Sequence, residues 1–301
     1  MAVKTAYVMF NSQKYVATYD DESQTWSVEI TAPSQSSWSQ ENHVFLAEIH
    51  AEDTAGNTSV LNSTDEDYGD QLKIRVLEKT KPTATIVSPT ESSVLGASNQ
   101  DIVMEIQDAG GSGLNMSSVV FKLNNQTISE GISWQDGEDG KKTCTYHATN
   151  LPDGANKVEL QVNDNDGNVS DNAVVNFVIS TAAPTLNVTS PVNNLITNQN
   201  KVTVAGTAAA GSDAVTLAEV TVNGEAAVVE EDGAFSKEVS LTEGDNTITI
   251  IAKDSLGKTT TVTRKVTLDT KAPVITEVVA ESTTVDAGGR IRITFKVTDP
   301  A

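Results

Sequence analysis

Residues Val158–Asn168 read VELQVNDNDGN, and this stretch decides the fold. Val158, Leu160 and Val162 are apolar and alternate with polar residues, which is the period of a β-strand with one buried face. The Asp-x-Asp-Gly-Asn sequence that follows favours a tight turn, because Gly accepts backbone conformations that other residues avoid. The stretch therefore predicts a strand that enters a hairpin turn.

The same pattern occurs twice more, as AEDTAGN at residues 51–57 and AKDSLGK at residues 252–258. A second landmark is a Pro that opens a similar phrase each time: KPTATIVSP, APTLNVTSP and APVITEVVA begin at residues 81, 183 and 272. Proline suits an edge strand, where its missing N–H removes no ladder bond. These repeats predict domains at residues 1–80, 81–182 and 183–272, followed by a two-strand fragment at residues 273–301.

Strands recur about every ten residues and helical periodicity is lacking, so we expect an all-β fold of tandem immunoglobulin-like β-sandwich domains that form an elongated rod. Residues 184–268, which contain VTSPVNNLITNQNKVTVAGTA and VTVNGEAAVVEEDGAFSKEVSLTEGDNTITIIAKD, resemble bacterial Ig-like repeats. Such repeats occur in surface adhesins, in accessory modules of glycan-degrading enzymes, and in proteins of prophages from Gram-positive gut bacteria. The order of the units and the segment APSQSSWSQENH (residues 32–43) most resemble the prophage group.

Composition restricts the function. The net charge of −21 includes no basic stripe, so nucleic acid and anionic membranes are not expected partners. The single Cys144 excludes an intrachain disulfide, and no apolar run approaches the ~18 residues of a membrane span. Residues 1–7 lack a signal-peptide pattern. We expect an extracellular location on a phage particle or bacterial surface, reached without the general secretion route or with signals outside this sequence.

The strand count predicts that residues 1–80 lack the first two strands of a sandwich, and that residues 273–301 contain those two strands alone. We therefore expect strand complementation, in which the C-terminal pair of one copy completes the first domain of the next copy and builds a filament. The predicted contact residues are Val274, Ile275, Val278, Ile291, Ile293, Phe295 and Val297 on the donor and Tyr7, Met9 and Phe10 on the acceptor. The alternative is a sequence cut within a domain, with a first domain that is simply short.

No catalytic residues are predicted, because no spacing pairs His43, His50 or His147 with Cys144 or another nucleophile. We predict that the protein is not an enzyme and needs no cofactor.

Oxygen-rich loops leave Ca²⁺ open as an alternative, at Asp164, Asp166 and Asn168 and in the acidic residues 65–70. The equivalent turns at residues 51–57 and 252–258 lose those ligands, so a hairpin turn without metal is favoured.

Trp38 and Trp134 lie in predicted loops and are candidates to stack on a sugar ring, although buried loop anchors explain both as well. The main prediction is thus a structural protein whose partner is itself, alongside other phage proteins. The alternatives are an adhesin or carbohydrate-binding module that binds surface glycans in cell adhesion, and an accessory segment of a larger enzyme.

Overall fold

The computed structural model describes residues 2–299, of which strands are the dominant element (53% strand and 4% helical over the chain). The strands form seven sheets, each of which lies within one of the segments 1–80, 81–182, 183–272 and 273–299. The chain divides into two compact units. The first comprises the residues up to 93 together with 98–178, and the second comprises residues 94–97 together with those from 179 onward. No helix within residues 2–299 has the length and apolar character needed to span a bilayer.

The elements of the first domain (residues 1–80) are, in chain order, β1 (Val3–Phe10), β2 (Gln13–Val16), β3 (Thr18–Asp20), β4 (Thr25–Ser27), the 3-10 helices η1 (Ser37–Ser39) and η2 (Glu41–His43), β5 (Phe45–Asp53), β6 (Thr58–Leu61), η3 (Gly69–Leu72) and β7 (Lys73–Ile74). Those of the second domain are β8 (Thr83–Ser88), β9 (Val94–Leu95), β10 (Gln100–Gln107), β11 (Leu114–Leu123), β12 (Gln126–Thr127), β13 (Gln135–Asp136), η4 (Glu138–Gly140), β14 (Lys142–Ala148), β15 (Gly154–Asp164) and β16 (Ala173–Ile179).

The strands of the third domain are β17 (Thr185–Ser190), β18 (Leu195–Thr197), β19 (Lys201–Ala209), β20 (Leu217–Val222), β21 (Glu225–Ala226), β22 (Val228–Val229), β23 (Ala234–Ser240), β24 (Gly244–Asp254) and β25 (Thr259–Leu268). The C-terminal hairpin consists of β26 (Val274–Ala280) and β27 (Ile293–Thr298).

The second and third domains share one topology. Each has a four-stranded sheet, in the order β13-β14-β10-β8 and β22-β23-β19-β17 respectively. Each also has a five-stranded sheet, in the order β12-β11-β15-β16-β9 and β21-β20-β24-β25-β18. Two packed sheets of this kind define an immunoglobulin-like β-sandwich, so the predicted class of all-β tandem domains is confirmed.

Alternation along β15 and β24 builds the two cores. Val158, Leu160 and Val162 on β15 are fully buried, as are Ile248, Ile250 and Ala252 on β24. On the opposite sheet of the second domain, a row on β10 is equally buried: Ile102, Met104 and Ile106. Removal of this apolar surface from water is the main stabilising contribution to each sandwich.

The same type of turn follows each of the strands β15, β24 and β5. The backbone N–H of Asp164 donates to the carbonyl of Asn168 (3.0 Å), and the Asp164 Oδ1 accepts the N–H of Asn168 (2.8 Å). Gly167 adopts φ +92°, where a side chain would strain the backbone. The turns at residues 53–57 and 254–258 have the same pair of bonds, so their backbone geometry is shared.

The strands of the first domain are divided differently between its sheets. It contains a single large sheet in the order β2-β1-β5-β6, and β7 also pairs with β5. β6 and β7 lie along the same edge of β5 and are separated by the acidic segment 62–72. Its second sheet among the described residues is only the β3–β4 hairpin. The buried core is correspondingly small and is formed by Phe10, Ala47 and Leu72.

This difference is visible at one inner position of the repeat. Ile49 on β5 is the counterpart of Leu160 and Ile250, because each lies four residues before the Asp of the shared turn. Leu160 and Ile250 are fully buried, whereas Ile49 is 38% exposed. The inner face of the first sheet is therefore open to solvent where the other two domains are covered.

We expect truncation to have unequal effects at these matched positions. Ile250→Ala should lower the free energy of unfolding of the third domain by about 2–5 kcal/mol, since it leaves a cavity in a closed core. Ile49→Ala should lower that of the first domain by about 1 kcal/mol or less, because solvent already contacts the side chain. Hydrogen exchange of peptides from β24 and β5, measured by mass spectrometry, gives both values. Equal losses at the two positions would contradict the described exposure.

Candidate functional site

The C-terminal hairpin presents an uncovered apolar face. Ile275 pairs with Val297, and Ile293 and Phe295 follow on the same side of β27 because strand side chains alternate. Phe295 is 57% exposed, and every residue from 271 to 299 is exposed. The opposite face is polar along β27, where Lys296 forms an ion pair with Glu277 (2.6 Å). The hairpin is thus amphipathic, with an apolar side in contact with solvent.

Other predicted donor residues lie outside this face. Val274 lies on the side opposite Ile275, and Val278 lies in the irregular stretch between Thr276 and Val279, where the register of the two strands shifts. Ile291 precedes the first residue of β27. The apolar face is therefore defined by four residues: Ile275, Ile293, Phe295 and Val297.

The hairpin matches the first two strands of a complete domain. Ile293, Phe295 and Val297 lie six, four and two residues before Asp299, as Ile102, Met104 and Ile106 lie before Asp108. β26 pairs with β27 as β8 pairs with β10. In the second domain these three positions are fully buried by the facing sheet, so the same pattern is exposed in the hairpin and covered in the sandwich.

A second strand pair with a free edge lies in the first domain. In the second domain the four-stranded sheet consists of the β8–β10 pair joined edge to edge to the β13–β14 pair. There β14 pairs with β13 along one edge and with β10 along the other. In the first domain β4 pairs with β3 along one edge, and its other edge has no strand partner among the described residues. Each of the β3–β4 and β26–β27 pairs thus has the strand order of one half of that four-stranded sheet.

The predicted acceptor residues do not share a face. Phe10 is buried in the core of its own domain, and Val8 packs beside it. Tyr7 and Met9 alternate with them and lie on the other side of β1, where the Tyr7 ring stacks on His50 at 4.7 Å between centroids. Ile49 lies on the open inner face of the first sheet, whereas Tyr7 and Met9 lie on its other face.

A second feature is a cluster of three carboxylates in the loops at one end of the second domain. Glu78 precedes β8, Asp108 follows β10, and Asp164 is the last residue of β15. Their carboxylate oxygens lie within 4.8 Å of one another. Two ionised carboxylates at this separation repel by about 3–4 kcal/mol at an effective dielectric constant of ~20. The fold holds three such groups together nevertheless.

Glu78 is at the centre of this cluster and is 8% exposed. Its Oε1 accepts a hydrogen bond from Ser112 Oγ (3.2 Å), and Asn168 Nδ2 donates to its backbone carbonyl (3.1 Å). Gly110 lies directly against it, since a Cβ there would be 2.2 Å from the Glu78 carboxyl group and would displace that side chain. Burial raises the pKa of Glu78 above its ordinary value, and its hydrogen bond with Asp164 raises it further.

The other two carboxylates accept hydrogen bonds from nearby donors. Burial raises the pKa of Asp164, but the hydrogen bonds from Asn168 and Glu78 outweigh it and leave that pKa below its ordinary value. Asp108 accepts three backbone N–H bonds, from Gly110 (2.9 Å), Gly111 (3.2 Å) and Gly113 (2.7 Å).

Asp166 adds a further buried charge beside Glu78. Its side chain is 1% exposed, and its Oδ2 accepts the backbone N–H of Glu78 (3.1 Å). Its Oδ1 is buried without a hydrogen-bond partner. The nearest cation, Arg75, is 3.8 Å away and mostly exposed, so it compensates this charge only weakly.

The matching turn of the third domain has the same backbone hydrogen bonds but different side chains. Leu256 and Lys258 replace Asp166 and Asn168, and Ser180 replaces Glu78. The ammonium group of Lys258 donates to the backbone carbonyl of Ser180, as Asn168 does to that of Glu78. The turn of the second domain lies beside several carboxylates, whereas the turn of the third domain contains a lysine.

Trp38 and Trp134 are both partly buried. One face of the Trp38 ring is covered by His43, which stacks on it at 3.9 Å between centroids. The neighbouring Ser37 anchors this loop through hydrogen bonds with the backbone of Val76 (2.9 and 3.1 Å). Contact of either tryptophan with a glycan stays a prediction.

The histidines and Cys144 lie apart from one another. His43 contacts the Trp38 carbonyl, His50 contacts Glu48, and His147 contacts Asp101. Cys144 is buried on β14 opposite Met104, and burial raises the pKa of its thiol above the ordinary value.

Comparison with known proteins finds similarity over parts of the chain. A family model described as "Glucodextranase, domain B" matches residues 184–270. Bacillopeptidase F of Bacillus subtilis (strain 168) is 29% identical over 153 residues, which are 50% of this chain. The aligned region is 10% of that protein, so the chain spans about a tenth of the length of the curated relative it matches.

The comparison with solved structures gives matches of low sequence identity. Fibronectin(III)-like modules of Clostridium thermocellum CbhA cover 62% of this chain and 94% of their own, with 21% identity and a TM-score of 0.35. The titin I-band fragment I67–I69 covers 88% and 87%, with 11% identity and a TM-score of 0.43. The Ig-like fold class is confirmed by the sheet order of the second and third domains, and the prophage origin stays a prediction.

We expect Cys144 to react with a thiol reagent only when the second domain opens. The buried position and the raised pKa of the thiol both suppress the reactive thiolate. Labelling by a disulfide reagent should be at least about 100-fold slower in buffer than in a denaturant that unfolds the chain. Cys144→Ser provides the blank, since no other thiol is present. A native rate within tenfold of the unfolded rate would show that β14 is not protected.

Proposed function

We propose that this protein is a non-enzymatic structural protein whose copies join head to tail. The β26–β27 hairpin of one copy completes the first domain of the next copy by strand complementation. The proposal is supported by one observation: the β3–β4 pair and the β26–β27 pair are separate two-stranded sheets, whereas the corresponding strand pairs of the second and third domains are joined in one four-stranded sheet.

The pairing geometry of the contact follows from the complete domains. Since β10 pairs with β14 along one edge and with β8 along the other, β27 pairs with β4 of the next copy and keeps β26 on its outer side. The resulting order β26-β27-β4-β3 reproduces β8-β10-β14-β13. The main-chain hydrogen bonds of a new strand pair supply directionality.

The packing of the contact uses the two exposed apolar faces. Ile293, Phe295 and Val297 of the hairpin lie over Ile49, as Ile102, Met104 and Ile106 cover the core beside Leu160. Burial of four large apolar side chains is worth about 6–10 kcal/mol as an upper bound, which is comparable with the whole stability of a domain. Association must also offset the loss of rigid-body freedom, so a reversible contact is expected.

The symmetry of the contact determines which kind of assembly forms. Donor and acceptor are different surfaces of the same chain, so the interface is heterologous, and repetition gives an open filament unless the rotation closes a ring. An extracellular setting on a phage particle or bacterial surface agrees with the Ig-like modules and the net charge of −21. That location is a prediction from resemblance, and adhesive contact with other molecules would come in addition to self-association.

Two single substitutions test the head-to-tail contact. Phe295→Asp removes donor function, and Ile49→Asp removes acceptor function, because each places a charge in the apolar contact. In sedimentation velocity from about 1 to 100 µM the wild type should form a growing series of oligomers, and each variant alone should stay monomeric. An equimolar mixture of the two should form a dimer and nothing larger, since each variant retains one working surface.

Thr294→Asp is the matched control. Thr294 is exposed on the polar face of the same strand, one residue from Phe295, so this variant should associate as the wild type does. A wild type that is monomeric at all these concentrations would overturn the proposal. A mixture that stays monomeric would also contradict it, because association would then not depend on these two surfaces.

A further inference from the structure

We propose that Glu78, Asp108 and Asp164 bind one Ca²⁺ ion, with Asp166 adding a fourth negative charge beside them. The site ties the segment that precedes β8 to the loops after β10 and β15. It is independent of the proposed self-association, because none of these residues belongs to the hairpin or to the inner face of the first sheet.

The distances fit one ion. Ca²⁺–oxygen distances of about 2.3–2.6 Å allow two ligands on one ion to lie up to about 5 Å apart. The three carboxylates offer oxygens within 4.8 Å of one another. The three ligands come from three separate segments of the chain, so the fold brings them together, not a local turn sequence.

A separate observation also points to a cation. The Asp166 side chain is almost completely buried and its Oδ1 accepts no hydrogen bond, while the cation beside it, Arg75, is mostly exposed and 3.8 Å away. A buried carboxylate oxygen without a donor is costly, and an exposed arginine at this distance offsets little of that cost. Asp166 contacts the backbone of Glu78, so its charge adds to the negative potential at the cluster.

The third domain provides an internal comparison. Its turn has the same backbone bonds at Asp254 and Lys258, but the lysine contributes a positive charge of its own. Among residues 2–299, Glu78, Asp108 and Asp164 are the one group of at least three His, Cys, Asp or Glu side chains with ligand atoms this close. A single ion per chain is therefore expected.

The donor set selects the kind of ion. All the ligand atoms are oxygens, which disfavours zinc and other metals that prefer nitrogen or sulfur. Mg²⁺ keeps several waters and an octahedral shell, whereas Glu78 and Asp164 are buried and leave little room for water. Ca²⁺ accepts irregular shells of carboxylate and carbonyl oxygens, so it is the ion that fits.

The experiment uses the full chain with Phe295→Asp, so that self-association does not contribute. The protein is passed over a chelating resin, and CaCl2 is added while ionic strength is held constant with KCl. Isothermal titration calorimetry should give one site per chain. At a Ca²⁺ concentration ten times the measured Kd, labelling of Cys144 should slow about 11-fold, because the ion binds the folded second domain and not the opened one.

Variants locate the site. Glu78→Gln removes one ligand charge and relieves repulsion in the absence of calcium, so it should fold and lose both the heat of binding and the slowed labelling. Asp164→Asn should do the same. The matched control is Asp254→Asn, which alters the equally buried Asp of the third-domain turn and should leave Ca²⁺ binding within twofold of the parent protein.

Several outcomes would overturn the proposal. No heat of binding and no slowing of labelling at millimolar CaCl2 would exclude the site. Equal slowing by MgCl2 would exclude selectivity for Ca²⁺, and equal slowing by KCl alone would indicate charge screening. Calcium binding retained in Glu78→Gln, or lost in Asp254→Asn, would place the ion elsewhere. Since the background variant is designed not to self-associate, failure here leaves the head-to-tail contact unaffected.

Discussion

A β-sandwich keeps its apolar side chains from water only while two sheets face each other. In the second and third domains both sheets are present, and the alternating residues of β15 and β24 are fully buried. In the first domain the equivalent Ile49 is partly exposed, and in the hairpin Phe295 is mostly exposed. The same sequence pattern thus gives a closed core or an open face according to the strands available to cover it.

Much of this organisation could be predicted from the sequence, because period-2 alternation determines which residues share a face. The pattern of Val158, Leu160 and Val162 predicted their buried row, and that of Ile293, Phe295 and Val297 predicted their common face. The acceptor surface was assigned less well. Tyr7 and Met9 are large and apolar enough to suggest a contact, but they lie on the face of β1 that points away from the side of Val8 and Phe10.

The carboxylate cluster could not be predicted from local sequence patterns. The sequence singled out Asp164, Asp166 and Asn168, and comparison with the equivalent turns favoured a plain hairpin turn. That interpretation of the backbone is confirmed by the bonds of Asp164 with Asn168. It missed Glu78 and Asp108, since these approach Asp164 only through the packing of separate loops. Local spacing indicates a turn, while a site assembled from distant segments requires the fold.

The proposed donor and acceptor surfaces lie on one chain, which has a consequence for any assembly built from it. Each joint consumes one hairpin and one open sheet, so every filament carries a free hairpin at one terminus and a free sheet at the other. Such a polymer is polar, and its two termini grow and shorten at rates that need not be equal. A peptide equivalent to residues 273–299 would occupy the free sheet and arrest growth at that terminus alone, leaving the other terminus active.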